Sequence, residues 1–207
     1  MVSTGTILID YPADKVVVTK GKNSVHYDLN GETVIPLQFG NGEYTLKYYR
    51  KIKDNVYRPF GPTHRYTVDN SDRYLLQPNC YVPEVPVAWD YARLLCRDKK
   101  GKAAYKTIIS WVSKTIFYDY IKSVTVPKKG VLPDPAECWE KHRGICQDIA
   151  SLVVGMLRAV DIPARLVIGR ADGKLHAWVE AFIFGNDKYV RYDPYDKAKT
   201  YVKERWY

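Results

Sequence analysis

Short runs of alternating apolar and polar residues fill the first third of the chain. Residues 7–9, 16–19, 25–29, 33–37, 44–49 and 64–68 are β-branched or aromatic stretches set apart by Tyr11-Pro12, Lys20-Gly21, Asn30-Gly31 and Gly40-Asn41-Gly42. Such runs, bounded by turn residues, predict strands. Asn30-Gly31 lies between Tyr27-Asp28-Leu29 and Thr33-Val34-Ile35 and predicts a hairpin, because both central residues of a type I′ turn need positive φ. About five to seven short strands at this spacing predict a small all-β, sandwich-like domain over residues 1–75. No nucleophile, base and acid come together there, so the region is assigned no chemistry, and His26 and His64 read as surface polar positions.

Between residues 69 and 86 the pattern lapses into Asn70-Ser71-Asp72 and then Pro78, Pro83 and Pro86, which predicts a linker leading to a second domain over residues 76–207. Beyond it the apolar period lengthens to that of a helix. Residues 88–96 predict one helix. Ala104, Ile108, Trp111, Val112 and Thr115 form the buried face of another, expected to end near Tyr118. Asp134 as N-cap and Pro135 at the first position open a short helix over residues 135–142. After Gly144, the residues Ile149, Leu152, Val153, Met156, Leu157 and Val160 follow the spacing of one buried helical stripe. Pro163 closes that segment. Residues 165–169, 176–184 and 189–194 then predict three strands, joined at 171–174 and 185–188. The expected class is α+β.

Composition narrows the choice. A chain of 207 residues with 46% hydrophobic positions is neither disordered nor collagen-like, and no apolar run approaches the roughly 20 residues of a membrane-spanning helix. Residues 1–10 have neither the basic nor the apolar region of a targeting signal. The β-rich beginning, the tyrosine content and the few cysteines suggest a secreted or cell-surface protein whose leader is absent from this chain. Cys80, Cys96, Cys138 and Cys146 are too few and too irregular for a disulfide framework, with one bridge left open. The net charge of +9 and the 18 tyrosines invite a nucleic-acid reading, since cations neutralise phosphates and rings stack on bases. The basic residues are scattered, however, and their densest runs, 97–102 and 128–129, read as solvated loops. An acidic cell-envelope surface or acidic substrate fits the charge equally well.

Cys146 falls at the first turn of the apolar-striped helix, where free N–H groups and the positive end of the helix dipole favour thiolate, the nucleophilic form. A buried structural cysteine is the competing reading. A base at His176 on one strand and an acid at Asp193 on its antiparallel neighbour would complete a nucleophile, base and orienter. A two-residue turn centred on Asn186-Asp187, however, sets Asp193 opposite Glu180, about four residues from His176 along the strand. A bulge, a shifted turn or a twist is then required, or Glu180, which shares a strand face with His176 and Trp178, is the orienter instead. Cys138, His142 and Cys146 recur like a row of metal ligands, but Gly144 interrupts their helix and no fourth ligand is near. No metal or cofactor is expected. Arg158 and Arg165 flank the helix-to-strand turn, where structural ion pairing is the expected role.

Four successive segments carry a resemblance: Gly144-Ile145-Cys146-Gln147-Asp148-Ile149-Ala150, Leu157-Arg158-Ala159-Val160-Asp161-Ile162-Pro163-Ala164-Arg165, His176-Ala177-Trp178-Val179-Glu180, and Asp193-Pro194. In order and spacing they resemble the signatures of the transglutaminase-like superfamily, of papain-like fold, over roughly residues 89–195. Asp161 departs from the pattern, standing where the family usually has Gly. The resemblance implies a Cys146, His176, Asp193 triad and attack of the thiolate on an amide carbonyl to give a thioester. Water then yields peptidase, amidase or deamidase chemistry, and a primary amine such as lysine yields a crosslink. The backbone N–H of Cys146 and a side-chain donor would hold the oxyanion, with Tyr118, Trp111 and Gln147 as candidates and Tyr118 preferred. Trp178 is a wall of the site or simply core. The expected activity is hydrolysis of an amide in a protein or peptide substrate, at the cell envelope. The alternatives are a protein-glutamine γ-glutamyltransferase and, from another class, a non-catalytic binding or scaffold protein retaining the fold. The cleft walls are expected to come from loops at 122–134 and 171–174.

Overall fold

Three valines run together in Lys15–Lys20, and the two-residue period of a strand buries Val16 and Val18, with Val17 less buried between them, inside the first of two units, Met1–Cys80. The computed structural model describes residues 2–3, 6–37, 39–54, 56–69, 76, 78–126, 131–183, 189–193 and 198–207. In the first unit these form β1 (Val2–Ser3), β2 (Thr6–Ile9), β3 (Lys15–Lys20), β4 (Asn23–Asp28), β5 (Thr33–Pro36), β6 (Gly42–Lys53) and β7 (Val56–Val68). One sheet has the order β1-β7-β6-β3-β4, and β2 pairs with β5 in a second. Ile7, Ile9 and Ile35 from the smaller sheet and Val25, Tyr44 and Leu46 from the larger are buried.

The hairpin expected at Asn30-Gly31 does not form. Gly31 has the anticipated positive φ of 76°, but β4 pairs with β3 and β5 pairs with β2. The turn therefore carries the chain from one sheet to the other, held locally by the Thr33 hydroxyl, which accepts from Asn30 N and donates to Gly31 O. Turn chemistry is written in two residues, whereas the choice of partner strand is decided by burial elsewhere. β7 begins at Val56 rather than His64, because its outer part is largely exposed and lacks the alternation of a half-buried strand. His64 lies among aromatic rings, with Nδ1 3.0 Å from the Tyr48 hydroxyl.

The second unit, Tyr81–Tyr207, comprises α1 (Pro86–Leu95), α2 (Gly101–Thr115), β8 (Phe117–Tyr118), α3 (Tyr120–Thr125), α4 (Pro135–Lys141), β9 (Arg143–Gly144) and α5 (Cys146–Arg158). These are followed by β10 (Ala164–Ala171), β11 (Lys174–Phe182), β12 (Tyr189–Tyr192) and β13 (Tyr201–Trp206). The last four strands make an antiparallel sheet of order β12-β11-β10-β13. α5 packs on β10 and β11 and is met by α1, α2 and α4, so every residue from Asp148 to Arg158 is buried. The sequence marks only one apolar stripe on this helix. Ala150, Ser151 and Gly155 are small enough for neighbours to close over its remaining faces as well.

Three further elements differ from expectation. α2 ends at Thr115, and Phe117 and Tyr118 pair in parallel with Arg143 and Gly144. The 122–134 segment, expected as loop, begins within α3, which Asp119 caps by accepting from Lys122 N at 2.8 Å. β13 carries no apolar alternation and was not expected; it pairs with β10 through an irregularity at Ile168/Gly169. The α4 start follows expectation, with Asp134 accepting from Glu137 N and Pro135 in the first turn. Asp161 adopts the left-handed conformation, φ 61°, which glycine reaches freely and Asp tolerates. The Asn70-Ser71-Asp72 stretch, Lys128-Lys129, Phe184, the 185–188 turn and Pro194 lie outside the described residues.

Candidate active site

Cys146 is the first residue of α5, and Ile145 before it has no side-chain acceptor for the free N–H groups of the turn. Asp148, 1% exposed, serves that turn instead, accepting from Ile145 N at 3.2 Å and from Asp134 N at 2.9 Å. Its charge is met by Lys122 Nζ at 2.8 Å, and the same ammonium lies 2.6 Å from Glu137 Oε2. A buried carboxylate with two N–H donors and a cation is fully compensated. Burial works against the Lys122 ammonium, but Asp148 and Glu137 outweigh it and raise its pKa above the ordinary value. Lys122, followed by Lys141, holds Glu137 down at about 2.

His176 is placed by a tight turn. Asp172 and Gly173 both have positive φ, 47° and 78°, and close β10 onto β11 with Ala171 opposite Lys174 and Gly169 opposite His176. The neighbouring ladder pairs Phe182 with Tyr189 and Val179 with Tyr192. In that register Asp193 follows on as the neighbour of Trp178, not of Glu180, two positions nearer to His176 than a two-residue hairpin allows. His176 Nε2 lies 2.7 Å from Asp193 Oδ2, and the Tyr201 hydroxyl donates to the same oxygen at 2.9 Å. The Tyr201 ring meets Trp178 edge-on at 5.2 Å and the Arg191 guanidinium at 3.6 Å. Gly169 makes this packing possible, since a Cβ there would stand 2.1 Å from Val202 O and 2.9 Å from the Trp178 ring. Glu180 is engaged by Arg165 at 2.7 Å and Lys203 at 2.6 Å.

Burial of His176 lowers its pKa, but the hydrogen bond it donates to Asp193 and the hydrogen bond and charge of Cys146 more than offset it, raising the value to about 10. With Nε2 held by Asp193, Nδ1 is the nitrogen left for the thiol. A cleft of about 430 Å³ opens here, lined by Tyr118, Ser123, Val126, Ile145, Cys146, Gln147, Ile168, Lys174, Leu175, His176 and Ala177. The β8–β9 pairing brings Tyr118 to Gly144, two residues before Cys146. Burial, and then the charge of Cys146, raise the Tyr118 pKa. Gln147 Nε2 donates to Val131 O at 3.3 Å.

Trp111 is placed elsewhere, packed with Tyr91 and Trp139, and does not line the cleft. Trp178 is 1% exposed and lies behind the His176–Asp193 pair rather than in the wall. Cys138 is buried while His142 is exposed with φ 51°, so the ligand row suggested by spacing does not converge. Burial raises the thiols of Cys80 to about 11 and Cys138 to about 12, and that of Cys96 above its ordinary value. Arg165 makes the expected ion pair; Arg158 donates to Ala164 O at 2.9 Å and to Tyr207 O at 3.3 Å. Sequence reasoning did not single out Tyr201 or Lys122. Lys122 had a detectable partner in Asp148, an acid at the third position of an apolar helix.

Fold and site together define an α+β domain with a thiol at a helix start, facing a histidine on an antiparallel sheet. The family model of the transglutaminase-like superfamily matches residues 87–194, and the chain belongs to that superfamily, which is generally enzymatic and cysteine-protease-like. A candidate cysteine protease from Cytophaga hutchinsonii shares the papain-like fold at a TM-score of 0.56 and 15% identity, over 99% of this chain and 72% of that one. The periplasmic domain of TgpA from Pseudomonas aeruginosa aligns over 94% of both chains, at a TM-score of 0.47 and 13% identity. An uncharacterised protein of Mycobacterium leprae is 27% identical over 139 residues, 61% of this chain and 46% of that protein. The chain thus spans about half the length of that curated relative.

Proposed function

We propose that the chain is a cysteine-dependent amide hydrolase acting on protein or peptide substrates, with Cys146 as nucleophile, His176 as general acid and base, and Asp193 as orienter. The observation that carries this reading is the 2.7 Å His176 Nε2–Asp193 Oδ2 pair, with His176 and Cys146 lining one cleft. The raised His176 pKa supports it, because an imidazolium is available to stabilise a thiolate through neutral pH. Cys146 Sγ attacks the amide carbon, a C–S bond forms, and the carbonyl oxygen takes the charge. The backbone N–H of Cys146 and the Tyr118 hydroxyl are the donors assigned to that oxyanion. As the tetrahedral intermediate collapses, the C–N bond breaks and the amine leaves with a proton from His176. Water, losing a proton to His176, then attacks the thioester; the C–S bond breaks, the acid departs, and the thiolate–imidazolium pair is restored.

The test is iodoacetamide alkylation followed by mass spectrometry. Cys146 is expected to react far faster than Cys80, Cys96 and Cys138, and His176→Ala or Asp193→Asn to slow it. Equal reactivity of the four thiols in the folded protein overturns the reading. Loss of reactivity in Glu180→Ala with none in Asp193→Asn moves the orienter role to Glu180.

A further inference from the structure

Lys122 meets Asp148 at 2.8 Å, Arg143 meets Asp119 at 3.4 Å and Arg170 meets Glu204 at 3.0 Å, so these cations of α3, β9 and β10, which frame the cleft, are taken by carboxylates. Lys174 is different. It is exposed, lines the cleft together with Cys146 and His176, and among the described residues makes no ion pair or side-chain hydrogen bond. Asp172, two residues before it, is supplied from elsewhere. Its carboxylate accepts from the backbone N–H groups of Thr200 and Lys199 and from the Thr200 hydroxyl. Those donors come first in holding its pKa below the ordinary value, and the charge of Lys174 comes last. Asp193 likewise has His176 and Tyr201, and Asp148 has two backbone N–H groups and Lys122. The carboxylates around the cleft are thus satisfied by their own donors, whereas an ammonium in the cleft wall is left for a group that arrives from outside.

The charged side chains among the lining residues, Lys174 and His176, are cationic; none is a carboxylate. β11 begins at Lys174, and the two-residue alternation of a strand puts Lys174 and His176 on one face, about 7 Å apart along the chain. The lysine side chain spans that distance, so its ammonium reaches the residue next to the amide under attack. An anion entering there passes the Cys146 thiolate, whose charge the His176 imidazolium meets. Resting on the functional reading above, we propose that Lys174 is a specificity residue that takes a carboxylate of the polypeptide substrate, carried one residue from the reacting amide. The carboxylate is supplied by an aspartate or glutamate side chain or by a chain end. A glutamine- or serine-flanked amide offers the ammonium no charge, and a lysine-flanked one is repelled. The net charge of +9 attracts acidic polypeptides in general, and Lys174 converts that attraction into a choice of bond.

The test has two arms, both read at Cys146 of the intact chain by mass spectrometry. In the first, 2-carboxyethyl and 2-hydroxyethyl methanethiosulfonate carry a charged and a neutral group of similar size into the cleft. The ratio of their rates is expected to fall about threefold in Lys174→Gln, as loss of one solvent-accessible ion pair supports, and further in Lys174→Glu. Lys106→Gln, which removes the same charge from the exposed face of α2, is expected to leave the ratio unchanged. In the second arm, N-acetyl-glutamyl-glycinamide, N-acetyl-glutaminyl-glycine and N-acetyl-glutaminyl-glycinamide compete with iodoacetamide. The first carries a side-chain carboxylate, the second a chain-end carboxylate, and the third neither. At least one of the charged peptides is expected to protect at lower concentration than the neutral one, an advantage lost in Lys174→Gln, and the better of the two names the source. A ratio unmoved by Lys174→Gln, an equal fall in Lys106→Gln, or equal protection by all three peptides overturns the role of Lys174. Failure of iodoacetamide to select Cys146 in the unaltered chain is a different result, and overturns the nucleophile instead.

Discussion

One carboxylate oxygen organises the residues behind the cleft. Asp193 Oδ2 receives both His176 Nε2 and the Tyr201 hydroxyl, and the Asp193 side chain is 1% exposed. Burial opposes the His176 imidazolium, but Asp193 and Cys146 carry its pKa from the ordinary 6.5 to about 10. Because the folded-state value is the higher one, the stability that this group contributes is fully present below about pH 6.5. It is lost as pH rises toward 10. NMR titration of His176 is expected to give a midpoint well above 6.5, falling in Asp193→Asn and in Cys146→Ser as each partner is removed. A midpoint near 6.5 in the unaltered chain contradicts the arrangement. Cys146 and His176 were legible in sequence because each sits inside a local motif. Asp193 was ambiguous because its placement depends on a ladder closing at Phe182–Tyr189, a register that spacing alone does not fix. Tyr201 was not legible, lying on a strand whose exposed, charged residues show no period.

Among the elements, the buried charge network beneath α5 and the close packing of β10 against β13 set the geometry. Asp148→Ala removes the acceptor for Ile145 N and Asp134 N and the partner of Lys122. The expected cost is about 3 kcal/mol in chemical unfolding, together with slower Cys146 alkylation. Gly169→Ala forces a methyl against Val202 O and the Trp178 ring. A loss of about 2 kcal/mol is expected, with a disturbed His176 titration, since Trp178 supports Tyr201 and Tyr201 supports Asp193. The long elements α1, α5, β10 and β11 were readable because each is an apolar-rich run long enough to stand apart from the turns around it. The two-residue ladder β8–β9 and the short helix α3 were not. One is too short to carry a period, and the other leaves Tyr120, Ile121 and Val124 exposed, where a folding argument expects polar residues.

At the scale of the whole molecule, the cleft residues and the partners named behind them, among the described residues, lie in Tyr81–Tyr207. A chain shortened to begin at Tyr81 is therefore expected to keep Cys146 alkylation within about twofold of the full chain, as a unit with its own core; a loss of selectivity would assign the first unit a part in the site. Across the described residues no helix is long and apolar enough to cross a membrane. The basic residues behind the net charge of +9 are scattered along the sequence.

α5 is tethered at both ends, by Asp148 to the loop and α3 in front of it and by Arg158 to the carbonyls of Ala164 and Tyr207 behind. The thiol therefore sits on an anvil that does not travel along its own axis. Whatever adapts to a new substrate must be the walls, α3 and the Asp172-Gly173 turn, which can be recut by substitution without resetting the nucleophile. Under the proposed function, the same helix can in this way serve different amides through changes confined to a few surface residues.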